Sequence, residues 1–68
     1  MLIKLTLRKT GEAFLINPES INEIVPDHTD PGCVVKLKTG KFHFVEEELD
    51  TITKLIYGKG LREVDGNS

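Results

Sequence analysis

The sequence predicts an α+β fold: a small antiparallel β-sheet of about four or five strands, built from two hairpins, with one C-terminal amphipathic helix. Strand-like alternation of apolar residues flanks a turn first in residues 3–16 and again in residues 34–45. Apolar residues then recur at helical spacing in residues 45–56. These three observations indicate a single β domain that is closed by a helix.

The first hairpin pattern begins at the N-terminus. Ile3, Leu5 and Leu7 alternate with other residues, as in a strand that buries one face. Gly11 gives the following turn a position that tolerates positive φ, and residues 13–16 resume the strand pattern. These features predict two antiparallel strands.

Residues 17–26 connect the two hairpins. Asn17 is suited to accept hydrogen bonds from free backbone N–H groups, and Pro18 suits the first position of a helical turn. We therefore expect a brief turn that delivers Ile21 to the core, followed by a short strand that ends at Pro26.

The second hairpin follows a loop at residues 26–32, which are rich in proline, glycine and aspartate. With a turn at residues 38–41, both strands are expected to bury alternate side chains. The inward positions are expected to be Cys33, Val35, Leu37, Phe42 and Phe44. His43 is expected to point to solvent.

The helix is predicted from an apolar stripe that consists of Val45, Leu49, Ile52 and Ile56, with Leu55 beside it. Glutamates occupy residues 46–48, where the helix dipole favours each negative charge by about 0.3–1 kcal/mol. Gly58 suits the end of the helix. Residues 1–58 are therefore predicted to form one domain, and residues 59–68 a frayed polar tail.

These elements predict one core to which both hairpins and the helix contribute. Its expected members are Ile3, Leu5, Leu7, Phe14, Ile16, Ile21, Ile24, Val35, Leu37, Phe42, Phe44, Leu49, Ile52, Leu55 and Ile56.

Length and composition limit the class of protein. A chain of 68 residues forms one domain of marginal stability, and its single cysteine excludes an intramolecular disulfide. Extra burial is therefore expected from a protein partner or from self-association into a homo-oligomer. The sequence shows neither a signal peptide nor an apolar stretch of membrane-spanning length, so we expect a cytoplasmic protein without membrane insertion.

Candidate chemical sites are sparse. Asp27, His28 and Asp30 resemble half of a metal site, but no further ligand follows at a suitable spacing. Cys33 has no base nearer in sequence than His28, and a small buried side chain at a strand start explains it better. We therefore expect no catalytic residues, no metal, no cofactor and no enzymatic activity.

A basic surface is the most distinctive candidate site. Lysines alternate with apolar residues on the predicted strands, and further cations lie at the adjacent turns. The residues expected to form this candidate binding face are Lys4, Arg8, Lys36, Lys38, Lys41 and His43. Such a face could contact phosphates, although no aromatic residue is expected to point outward for base stacking. A protein with basic and acidic sides could equally self-associate.

The order of landmarks resembles that of a known family. The chain carries IKLT at residues 3–6, TGE at 10–12, INPESI at 16–21, LKTGK at 37–41 and VEE at 45–47. This order is similar to that of the small FlbD/SwrD-type flagellar proteins and of short proteins from phages and prophages. The resemblance spans residues 2 to about 57. It implies a non-enzymatic binding or assembly module of a bacterial or phage complex.

Two further likenesses support an alternative. The opening Met-Leu-Ile, the Gly-Glu turn at residues 11–12 and the short C-terminal helix resemble the carbon storage regulator type of RNA-binding dimer. The strand–turn pattern also resembles LytTR-type DNA-binding domains. The alternative function is therefore a regulatory nucleic-acid-binding protein, and a further one is a phage inhibitor-type or small-ligand-binding module.

Overall fold

The computed structural model describes residues 1–58 and confirms the predicted α+β class. The strands are β1 (Ile3–Thr6), β2 (Ala13–Ile16), β3 (Ile21–Pro26), β4 (Cys33–Leu37) and β5 (Phe42–Val45), and the helix is α1 (Leu49–Tyr57). A 3₁₀ turn, Pro18–Ser20, precedes β3. The predicted tail, residues 59–68, lies outside the described residues.

The first hairpin pairs β1 with β2 in an antiparallel arrangement, as expected. Ile3 lies opposite Ile16, and Leu5 lies opposite Phe14, so their side chains share the inner face. The turn is held by the backbone N–H of Leu7, which donates to Glu12 at 2.8 Å.

The connection between the hairpins also follows the prediction. Asn17 caps the 3₁₀ turn, because its Oδ1 accepts from the backbone N–H of Glu19 at 2.9 Å. Ser20 Oγ donates to the Asn17 carbonyl at 2.7 Å. Ile21 then starts the edge strand of the second sheet.

The second sheet has the strand order β3-β4-β5, with antiparallel pairing throughout. A bulge interrupts the pairing of β3 between Ile21 and Glu23. Gly32 precedes β4 at φ 104°, and a β-carbon there would overlap the carbonyl oxygen of Val45. The chain therefore needs glycine at this position, both for the backbone conformation and for the close approach to β5.

The two sheets meet where β1 ends and β5 ends. Leu7 forms an antiparallel bridge with Val45. The backbone N–H of Arg8 donates to Phe44, and that of Glu46 donates to Thr6, both at 2.9 Å. The end of the first hairpin therefore continues the edge of the second sheet.

The buried core is smaller than predicted and differs in composition. Its members are Ile3, Leu5, Ile16, Cys33, Val35, Val45 and Ile52. Half-buried side chains pack around it, namely Phe14, Ile21, Ile24, Leu37, Leu49 and Ile56. Phe42, Phe44 and Leu55 were wrongly placed in the core, because their side chains are 55%, 45% and 43% exposed. Leu7 is only half-buried.

The helix begins later than predicted. Val45 ends β5 and does not start the helical stripe, and Glu48 occupies the N-cap of α1. The C-terminal end agrees with the prediction, since Gly58 has a left-handed conformation and donates its N–H to Lys54 at 2.7 Å. The helix packs against β3 through Ile52, which is fully buried.

Candidate interaction surface

The outer face of the three-stranded sheet carries an exposed apolar patch. The register sets Val25 opposite Val34 and Val34 opposite Phe44. The next row sets Glu23 opposite Lys36 and Lys36 opposite Phe42. Directly opposed residues share a face. We define the outer face by its apolar residues, which are Val25, Val34, Phe42 and Phe44, with Glu23 and Lys36 at its margin.

The two phenylalanines dominate this face. Their rings meet edge-to-face, with centroids 5.5 Å apart and an interplanar angle of 83°. About half of each side chain is exposed. Two of the three phenylalanines in the chain therefore lie on the surface, in contact with each other.

The β4–β5 turn explains why Phe42 and Phe44 face outward. The backbone N–H of Leu37 donates to Lys41, and that of Gly40 donates to Leu37, which leaves residues 38–40 as a three-residue loop. Gly40 has φ 96°, as the last position of such a loop requires. A two-residue loop would have shifted the register by one and turned both rings inward.

His43 was expected to point to solvent, and this expectation was wrong. It lies opposite buried Val35 and is itself half-buried. Its ring packs against Phe14, with centroids 5.1 Å apart. His43 therefore lies on the opposite side of β5 from the outer face and is not part of a solvated basic surface.

Arg8, which was expected to contribute a cation to the candidate binding face, makes contacts within the protein. Its Nη1 donates to Asp27 Oδ2 at 2.8 Å, and its guanidinium lies 5.4 Å from the centroid of the Phe44 ring. The atoms Nε and Nη2 of Arg8 are buried without a hydrogen-bond partner in the described part of the chain. Arg8 therefore ties the first hairpin to the rim of the outer face.

Asp27 is held in its charged form by the same cluster. Its Oδ1 accepts from the backbone N–H and the hydroxyl of Thr29, at 2.9 and 2.8 Å. These two hydrogen bonds, and next the one from Arg8, hold the pKa of Asp27 well below its ordinary value of 3.8.

The four predicted lysines lie on three different elements of the fold. Lys36 lies on the second sheet beside Glu23, whereas Lys4 lies on the first hairpin opposite Leu15. Lys38 and Lys41 are exposed at the β4–β5 turn. A binding role for these residues stays a prediction.

The Glu47 carboxylate was expected to interact with the dipole at the N-terminus of the helix, but its observed contacts are with β1. Its Oε1 accepts from the backbone N–H of Thr6 at 2.9 Å, and its Oε2 accepts from the Thr6 hydroxyl at 2.8 Å. Glu47 therefore fastens the segment before α1 to β1. No local pattern predicts this contact, because the two residues are 41 positions apart in the chain.

Residues 1–58 contain side chains that can ligate metals or act as nucleophiles, among them His28, Cys33 and His43. No cluster of histidine, cysteine, aspartate or glutamate side chains in this range could hold a metal ion. Cys33 is fully buried at the start of β4, as expected, and burial raises the pKa of its thiol. Its thiolate, the nucleophilic form, is therefore disfavoured.

Among the described residues, α1 is too short to cross a membrane. Comparisons with known proteins found no matching family model, no matching curated protein and no matching solved structure.

Proposed function

We propose that this protein is a non-enzymatic assembly module of a bacterial or phage complex in the cytoplasm, and that it self-associates through the outer face. The resemblance to FlbD/SwrD-type proteins supports the class of function. One structural observation carries the choice of surface: Phe42 and Phe44 lie together, half-exposed, on a strand whose other two side chains, His43 and Val45, are half-buried and buried.

The exposed area of these rings is energetically significant. A phenylalanine side chain buries on the order of 150–250 Å² when it is covered, so half-exposure leaves about 100 Å² of each ring in water. At about 25 cal/mol per Å², covering that area would contribute roughly 2.5 kcal/mol per ring. Val25 and Val34 extend the same apolar surface, so a docked partner would gain several such contributions.

The charges around the outer face favour a second copy of the chain as the partner. Lys36 lies beside Glu23, and Arg8 is paired with Asp27, so each cation at the face has an adjacent anion. A two-fold interface presents the same patch from both subunits, which requires a surface that complements itself. A face with balanced charges around an apolar centre meets this requirement.

Sedimentation equilibrium across a concentration series tests the proposal. The parent is expected to form a reversible dimer, and Phe42→Ser with Phe44→Ser is expected to be a monomer. Leu15→Ser is the matched control, because Leu15 is 62% exposed on the first hairpin and should leave the dimer intact. A monomeric parent at the highest concentration, or equal dissociation in the control, would refute the proposal.

Nucleic-acid binding is the second candidate, and one observation favours it. The outward phenylalanines supply the stacking surface that the sequence was expected to lack, and exposed Lys36 lies directly opposite Phe42. Base stacking on an aromatic ring contributes about 1–3 kcal/mol per base. Against this function, Glu23 and Asp27 offset the nearby cations.

Fluorescence anisotropy with labelled single-stranded oligonucleotides distinguishes the two functions. Nucleic-acid binding predicts a salt-sensitive signal that is lost both in Phe42→Ser with Phe44→Ser and in Lys36→Glu with Lys38→Glu. Assembly predicts no signal with the parent at low salt. It also predicts that Lys38→Glu alone leaves the dimer unchanged, since Lys38 lies at the turn and outside the outer face.

A further inference from the structure

A second concave surface lies between β3 and α1. It is a groove of about 350 Å³, and its apolar lining is formed by Ile21, Ile24, Ile52 and Ile56. Ile52 is fully buried, and the other three isoleucines are half-buried. The groove therefore has an apolar floor with room for a few side chains.

The groove follows the free edge of the sheet. Within residues 1–58, β3 pairs with β4 on one side and with no strand on the other. Four consecutive residues of this strand, 21–24, line the groove. Ile21 and Ile24 lie opposite Leu37 and Val35 on the inner face, whereas Glu23 lies opposite Lys36 on the outer face. A groove lined by residues from both faces of β3 runs along the strand's edge. The edge backbone is therefore accessible to an incoming strand.

Features of β3 limit what can pair with it. The bulge between Ile21 and Glu23 breaks the regular ladder at one end, and Pro26, which has no N–H, ends the strand at the other. Regular pairing is thereby confined to about residues 23–25. An added strand must be short, and its alternate side chains would reach the isoleucines.

The charges at the groove favour a particular charge in the residues that flank a bound segment. Glu19 and Glu23 are exposed at its rim, and no lysine or arginine is among its described lining residues. Basic residues on both sides of an apolar segment would therefore face these carboxylates, whereas acidic residues would be repelled.

We propose that this groove binds a short, extended, apolar peptide segment with basic flanks, which a partner protein adds to β3 as an extra strand. The site differs from the outer face: its floor is formed by the inner side of β3 together with α1, and only Glu23 borders both surfaces. A test of this site is therefore separable from a test of self-association.

Titration of the ¹⁵N-labelled 68-residue protein with synthetic peptides tests the proposal by NMR. The probe is the blocked pentapeptide Lys-Ile-Val-Ile-Lys, compared with Glu-Ile-Val-Ile-Glu. We expect chemical-shift changes at residues 21–25 and 52–57, and about fivefold weaker binding of the acidic peptide, because two exposed ion pairs are lost. N-methylation of the central valine should weaken binding by about tenfold, since it blocks a strand hydrogen bond.

Two variants complete the test. Glu19→Lys changes one exposed side chain outside the outer face, so the fold and self-association should persist while the preference for the basic peptide is lost. Phe42→Ser with Phe44→Ser should bind the basic peptide as the parent does. Shift changes centred on β5, equal affinity for both peptides, an unchanged preference in the charge-reversed variant, or no effect of N-methylation would overturn the proposal.

Discussion

The two hairpins have similar strand–turn–strand patterns, yet they use their aromatic residues in opposite ways. In the β1–β2 hairpin, Phe14 faces inward and packs at the core. In the β4–β5 hairpin, Phe42 and Phe44 face outward and form the exposed patch. The difference arises from the second turn, where a three-residue loop sets the pairing register. The conformation of the turn thus decides whether the aromatic side chains of a strand lie in the core or on the surface.

The largest expected effect comes from Gly32→Ala, at the entry to the second hairpin. The new β-carbon would overlap the Val45 carbonyl oxygen at a φ of 104°, so β4 and β5 could not keep their present positions. We expect no cooperative unfolding transition in urea followed by circular dichroism.

Gly11→Ala in the turn of the first hairpin is the matched control for this substitution. Gly11 also has positive φ, at 75°, but nothing lies near its added β-carbon. Its cost should be only about 1–2 kcal/mol, from the left-handed backbone alone. Equal losses of stability in Gly32→Ala and Gly11→Ala would mean that Gly32 is not packed against β5.

A large effect is also expected from Leu5→Ala in β1. Leu5 is fully buried, so its truncation should lower the free energy of unfolding by about 2–5 kcal/mol. Urea denaturation at low protein concentration, where self-association does not contribute, measures this loss.

Phe42→Ala, measured in the same way, sharpens the contrast between the hairpins. Phe42 is exposed, so its truncation should cost the monomer less than about 1 kcal/mol, whereas a buried phenylalanine would cost about 3–5 kcal/mol. A loss as large as that of Leu5→Ala would contradict the outward orientation of β5.

Glu47→Gln tests the link between the hairpins and should have an intermediate effect. Its carboxylate accepts two hydrogen bonds from Thr6, and the amide can keep only one acceptor oxygen. We expect a loss of about 1–3 kcal/mol in urea unfolding. Glu46→Gln is the control, since this neighbouring side chain is exposed. Comparable losses in both variants would show that the contact with Thr6 does not stabilise the fold.

The last expected effect is a pH dependence of stability that arises from the hydrogen bonds that Asp27 accepts from Thr29 and from Arg8. The pKa of Asp27 is lower in the folded protein than its ordinary value of 3.8. Its contribution to stability is therefore complete above that value and is lost as the pH falls toward the lower folded pKa. Asp27→Asn should make the urea midpoint less sensitive to acid in this range. An identical acid profile in parent and variant would contradict this role.

Local patterns were sufficient to predict the elements of this fold. Alternation of apolar residues in 3–16 predicted the first hairpin and the side chains that face inward. The spacing of the isoleucines in α1 predicted the helix. Asn17 gave the cap of the 3₁₀ turn. Each of these signals depends on residues that are close in sequence, and each was confirmed.

The surface was harder to predict because it depends on register and on distant contacts. Residues 38–41 are compatible with either a two-residue or a three-residue loop, and only the observed bond from Leu37 to Lys41 decides between them. The pairing of Arg8 with Asp27 likewise follows from the meeting of the two sheets. His43 was placed on the predicted basic face because the other register was assumed for β5.

The contact between Thr6 and Glu47 has a consequence for the order of folding. Each hairpin closes a short loop and can form early, whereas this contact joins residues 41 positions apart and must close most of the chain. The hydrogen bond from Glu46 to Thr6 and the bridge from Leu7 to Val45 form at the same junction. We therefore expect docking of the completed first hairpin onto β5 to be the late, entropically costly event in folding.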